Sequence, residues 1–109
     1  MAYNAGLADD IRAHVGNRTD LTEKEMFGGI AFMVGGNMAV GVSGDDLMVR
    51  VGKETYDDAL TETGVREFDM SGRPMRGWVL VSDQGYSTEA DLTSWIERGV
   101  SYAESLPPK

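Results

Sequence analysis

The stretch from Met26 to Val51, MFGGIAFMVGGNMAVGVSGDDLMVRV, alternates side-chain character about two glycine-rich breaks, and that constrains it more than any other segment. Phe27, Ile30, Phe32 and Val34 begin a strand pattern, and Gly35-Gly36-Asn37 offers the positive φ angles of a tight hairpin turn. Met38, Val40 and Val42 alternate along the return strand. A second turn, Ser43-Gly44-Asp45-Asp46, leads into Leu47, Val49 and Val51 on one face of the next strand, with Met48 and Arg50 on the other. The segment therefore reads as an antiparallel meander.

The flanks read differently. Asn4 caps a first helix in which Leu7, Ile11, His14 and Val15 recur at helical spacing, with Gly16-Asn17 as the stop. Arg18 to Lys24 reads as a short connection. After Gly52, Lys53 to Thr63 carries Tyr56, Ala59 and Leu60 at helical positions before Gly64. Val65 to Met70 is a further strand candidate, Ser71-Gly72-Arg73-Pro74 a turn, and Trp78 to Val81 an apolar strand ended by Asp83-Gln84-Gly85. The last helix has the clearest signals: Thr88 with Asp91 three residues on resembles a capping box, and Leu92, Trp95, Ile96, Gly99, Val100, Ala103 and Leu106 mark a buried stripe before Pro107-Pro108. The expected fold is α+β: an antiparallel sheet with helices on one face, in the order α-β-β-β-α-β-β-α. At 109 residues, one domain over 1–109 is expected.

Composition narrows the function classes. The chain holds 18 Asp plus Glu against 10 Lys plus Arg, a net charge of −8, so direct nucleic-acid binding is not expected. The acidity favours solubility and would steer a basic protein, although a solvated acidic surface is the commoner meaning. Zero cysteines remove disulfides, thiolate metal sites and cysteine nucleophiles. No secretory leader or membrane-length apolar run is visible, so a cytoplasmic location is expected. Six of the seven methionines fall in candidate ordered segments, where core filling is their ordinary use.

Few residues suggest chemistry. His14 lacks an evident nucleophile or carboxylate partner and suits the end of the first helix through its dipole. Gly41-Val42-Ser43-Gly44 matches a phosphate-approaching GxxG loop superficially, but Asp45-Asp46 opposes that use and a hairpin turn explains it. The pairs Asp9-Asp10, Asp45-Asp46 and Asp57-Asp58 have no EF-hand spacing. No catalytic residue, metal or cofactor is assigned. Five residues remain as interaction candidates. Phe27 would present an aromatic ring beside Gly28-Gly29, although paired glycines more often serve a turn. Arg50 would offer a planar fork to a carboxylate or phosphate, against the commoner reading of a cross-strand acidic partner. Arg73 and Arg76 flank a proline turn next to Trp78 and would form a cationic and aromatic contact site, unless they simply meet surface carboxylates.

Several short motifs in order resemble the N-terminal domain family of the TfoX (Sxy) competence regulators. They are Lys24-Glu25-Met26-Phe27-Gly28-Gly29 with Phe32-Met33, Gly36-Asn37-Met38, Gly44 through Val51, and Gly72-Arg73-Pro74-Met75 with Gly77-Trp78. The likeness runs from the first helix through Trp95 and looks most like the stand-alone, single-domain bacterial members. It implies a regulatory lineage: longer members carry a C-terminal domain and promote competence-gene transcription alongside another DNA-binding regulator. The reading is a non-enzymatic regulatory or protein-interaction domain. It would dock a protein partner, such as a transcription regulator, through a sheet edge or the Arg73 loop, with homodimerisation by edge pairing as one variant. The alternative is a small-molecule-binding protein or enzyme, with Met33, Met38, Trp78 and Trp95 lining a pocket between the sheet and the final helix.

Overall fold

The computed structural model describes residues 3–16, 18–26, 28–69 and 74–108. Along the chain run α1 (Ala5–Val15), β1 (Leu21–Met26), β2 (Gly29–Val34), β3 (Asn37–Ser43), β4 (Asp46–Arg50), α2 (Tyr56–Leu60), β5 (Val65–Asp69), β6 (Pro74–Val81) and α3 (Glu89–Glu104). The strands form one six-stranded antiparallel sheet in the order β1-β2-β3-β4-β6-β5. The α+β class and antiparallel sheet are as the sequence implies. Four strands rather than three precede α2, because Leu21 to Met26 is a strand and not a connection.

Local chemistry explains most element ends. The Leu7 amide donates to Asn4 Oδ1 at 3.0 Å and the Asp91 amide to Thr88 Oγ1 at 3.0 Å, so both long helices begin on a side-chain cap. Val34 pairs with Asn37 across a two-residue loop in which Gly35 and Gly36 have φ of 60° and 84°, as a twisted hairpin requires. Within that hairpin Phe32 pairs with Val40 and Met33 with Met38, leaving Ala39 as an extra residue.

All three helices lie over one face. Leu7, Ile11 and Val15 of α1, Tyr56 and Ala59 of α2, and Trp95 and Ile96 of α3 join Phe32, Val40, Val42, Leu47, Val49, Val79 and Val81 in the main core. α3 crosses β2, β3 and β4. The Trp95 indole donates to the Gly85 carbonyl at 3.1 Å, which satisfies the polar atom that its burial would otherwise strand.

The opposite face has a different composition. Ala31, Met33, Met38, Met48, Phe68, Met75, Trp78 and Leu80 form a second apolar cluster in which every member comes from a strand. Ala31, Met38, Met48 and Phe68 are buried there, whereas Met33, Met75, Trp78 and Leu80 are only half-buried. Among the described residues no helix contributes to this cluster.

A candidate interaction face

The face opposite the main core, uncovered in the sense that no helix of the described residues joins its apolar cluster, is organised around the ends of β4 and β6. Arg50 pairs in register with Trp78, and its guanidinium carbon lies 4.9 Å from the centre of the Trp78 ring. The same carbon lies 5.4 Å from the Tyr102 ring, on the last turns of α3. Phe68 meets Trp78 edge-on, with ring centres 6.4 Å apart. Stacking orients the guanidinium, and among the described residues no acceptor meets its N–H fork.

Two glycines build this corner. The Val51 and Gly52 amides both donate to the Gly77 carbonyl, at 2.8 and 3.0 Å, which closes the β4 and β6 ends together. Gly52 has φ of 89°, and a β-carbon there would come within 2.5 Å of the Tyr102 ring. Gly77 has φ of 96° and breaks the alternation of β6. In consequence Met75 and Trp78 reach the uncovered face, while Arg76 lies on the helical side, 5.4 Å from the Tyr56 ring.

Charge is distributed unevenly about the sheet. Of the six arginines among the described residues, Arg12, Arg18, Arg66 and Arg98 have carboxylates within ion-pair distance. Arg50 and Arg76 have none among the described residues. Lys24 pairs in register with Ala31, and Arg66 with Leu80, which puts both cations on the uncovered face with Arg50. Asp46, bound by Arg66, is the one carboxylate among the described strand positions of that face.

The five interaction candidates therefore separate. Arg50 and Trp78 meet, Arg76 stands on the other side of the sheet, and Phe27 and Arg73 lie outside the described residues. The structure replaces the expected acidic partner of Arg50 with two aromatic rings, because the cross-strand neighbour is Trp78 and the nearby helix supplies Tyr102. Tyr102 carried no local signal, since it neighbours Ala103 on the α3 stripe and meets Arg50 only through the fold. The proposed lining of Met33, Met38, Trp78 and Trp95 does not assemble either: the first three are on the uncovered face and Trp95 is in the main core.

The helical side offers grooves open to solvent. One of about 550 Å³ runs between α1 and the start of α3 past Asp10, His14, Tyr86, Thr88 and Leu92. His14 Nε2 lies 3.7 Å from Glu97 Oε1 in the last turn of α1. Burial pushes the Tyr86 hydroxyl pKa up, with Asp83 and Asp45 adding to the effect, and the hydroxyl donates to the Asp45 carbonyl at 2.6 Å. Among the described residues no three or more His, Asp or Glu side chains gather in a metal-binding group. No helix of the described residues is long and apolar enough to cross a membrane.

Comparison with known proteins adds the lineage. The family model for the TfoX N-terminal domain matches residues 13–103, which spans β1 through β6 and most of α3. No curated protein and no solved structure gives a significant match. With a match over most of its length, the chain belongs to the TfoX N-terminal domain family.

Proposed function

We propose that this chain is a non-enzymatic regulatory domain of the bacterial cytoplasm that binds a protein partner, such as a transcription regulator, through the uncovered face of its sheet. The observation that carries this reading is the half-buried group Met33, Met75, Trp78 and Leu80, in an apolar cluster to which no helix of the described residues contributes. Apolar side chains left partly open to solvent on one face of a sheet favour protein contact. The sheet edges argue less well for docking. β1 exposes Glu23, Lys24 and Glu25, and β5 exposes Arg66, Glu67 and Asp69, charges that oppose pairing with another strand.

Affinity capture from native lysate tests the reading. A protein retained by the intact chain is expected to be lost from a Met33→Glu, Met75→Glu variant and kept by the edge variant Glu67→Lys, with circular dichroism melts confirming that both fold. Retention by the face variant and loss by the edge variant would move the docking site to β5. Light scattering of the same samples would separate a foreign partner from a second copy of the chain.

A further inference from the structure

We infer that the uncovered face selects an acidic segment of its protein partner, in which carboxylates alternate with apolar side chains. The inference rests on the docking face proposed above and adds the chemistry of what settles there. In a chain of net charge −8, this face bears Lys24, Arg50 and Arg66 against the single carboxylate Asp46 among its described positions. Sequence-wide acidity would draw a basic partner; the local sign is the reverse.

Arg50 gives that sign a direction. Its guanidinium is stacked against Trp78 and Tyr102, is half-buried, and has no hydrogen-bond acceptor among the described residues. A stacked guanidinium loses little freedom when it donates two hydrogen bonds to a carboxylate. On the same face the half-buried Met33 and Met75 supply flexible apolar contact for the residues between those carboxylates. Lys24 on β1 stands across the sheet from Arg50 on β4, so an extended acidic segment lying across the strands would meet a cation near each end. A nucleic-acid strand shares the anionic chemistry but meets the repulsion of the whole chain and lacks side chains suited to the thioethers.

Three labelled probes distinguish the possibilities: a short peptide alternating Glu or Asp with Leu or Phe, the same peptide with Gln and Asn in place of the acids, and a single-stranded oligothymidylate. Binding is followed by fluorescence anisotropy, and the site by NMR shifts of the methionine methyls and the Trp78 indole. The acidic peptide is expected to shift Met33, Met75 and Trp78 and to bind about tenfold more tightly than the neutral one, the scale of one charge-assisted contact. Arg50→Gln is expected to remove most of that preference and Lys24→Gln, at an exposed position independent of the aromatic stack, to reduce it. Arg12→Gln on the helical side should leave it unchanged.

Equal binding of the two peptides at this face would overturn the inference while leaving the docking face intact. Shifts confined to other residues, no binding of either peptide, preference for the oligonucleotide, or indifference to both Arg50→Gln and Lys24→Gln would each overturn it. The lysate experiment with Met33→Glu, Met75→Glu decides the docking face separately.

Discussion

Tyr102 packs directly against Gly52: the ring edge occupies the space where any other residue at position 52 would carry its β-carbon. Gly52→Ala adds a left-handed backbone to a ring that must move. Together these are expected to cost about 2–4 kcal/mol of stability, read from urea unfolding. A cost below about 0.5 kcal/mol, within the range of ordinary surface changes, would show that the corner is looser than its geometry.

Gly99 presents the opposite sign test. Alanine is the better helix former by about 1 kcal/mol, so propensity alone makes Gly99→Ala stabilising. At this position a β-carbon would run into the Ala39 carbonyl and the Val40 side chain, where α3 crosses β3. A backbone oxygen cannot rotate away. Net destabilisation of about 1–2 kcal/mol is expected by chemical denaturation, and any gain in stability would refute the close approach.

Arg12 joins α1 to the sheet edge through a two-pronged contact with Glu23, Nε to Oε2 at 2.9 Å and Nη2 to Oε1 at 2.8 Å. This contact holds the Glu23 pKa below the usual carboxylate value, the guanidinium hydrogen bonds outweighing desolvation. A carboxyl whose folded pKa is depressed contributes stability that is present above its unfolded value, about 4.3, and lost as pH falls through the lower folded value. Both side chains are more than a third exposed, so the expected effect of Glu23→Gln is only about 0.5–1 kcal/mol near pH 7. Stability curves of the two proteins should converge in acid, and a constant gap down to the lowest pH measured would assign the loss to packing instead.

Asn37 is the one buried polar residue among those described, and its Nδ2 donates to the Pro107 carbonyl at 2.9 Å. This bond fastens the segment after α3 to the β2–β3 hairpin. Asn37→Ala is expected to lower stability by about 1–2 kcal/mol and to speed amide exchange at Ser105 and Leu106. Unchanged exchange at those amides would mean that the segment is held by other contacts.

The sequence was most readable where a single local rule decided the outcome. The Asn4 and Thr88 caps, the Gly35-Gly36 turn and the α3 stripe through Trp95, Ile96, Gly99 and Ala103 all formed as their spacing implies. β1 was hidden because an edge strand with Glu23, Lys24 and Glu25 exposed carries no alternating apolar signal. α2 proved shorter than its pattern, five residues from Tyr56 to Leu60, since Lys53, Glu54 and Thr55 form a turn.

The candidate face was only half readable. Arg50 and Trp78 could be singled out by type, but their meeting required β6 to insert beside β4, ahead of β5 in the sheet, a choice no local pattern records. The transfer of Arg76 to the helical side follows from the backbone of Gly77, and the approach of Tyr102 from the docking of α3. Both are consequences of tertiary assembly rather than of neighbouring residues.

The two sides of the sheet differ in mechanical character. Branched valines and isoleucines under the helices have few rotamers and hold one arrangement, whereas Met33, Met38, Met48 and Met75 are unbranched chains that can reshape at little cost. Where Met33 and Met75 reach solvent, a pliable surface of that sort tolerates many contours and discriminates poorly among them by shape. Directional bonding at a few polar positions is then what gives this side its specificity, while the rigid side keeps the architecture.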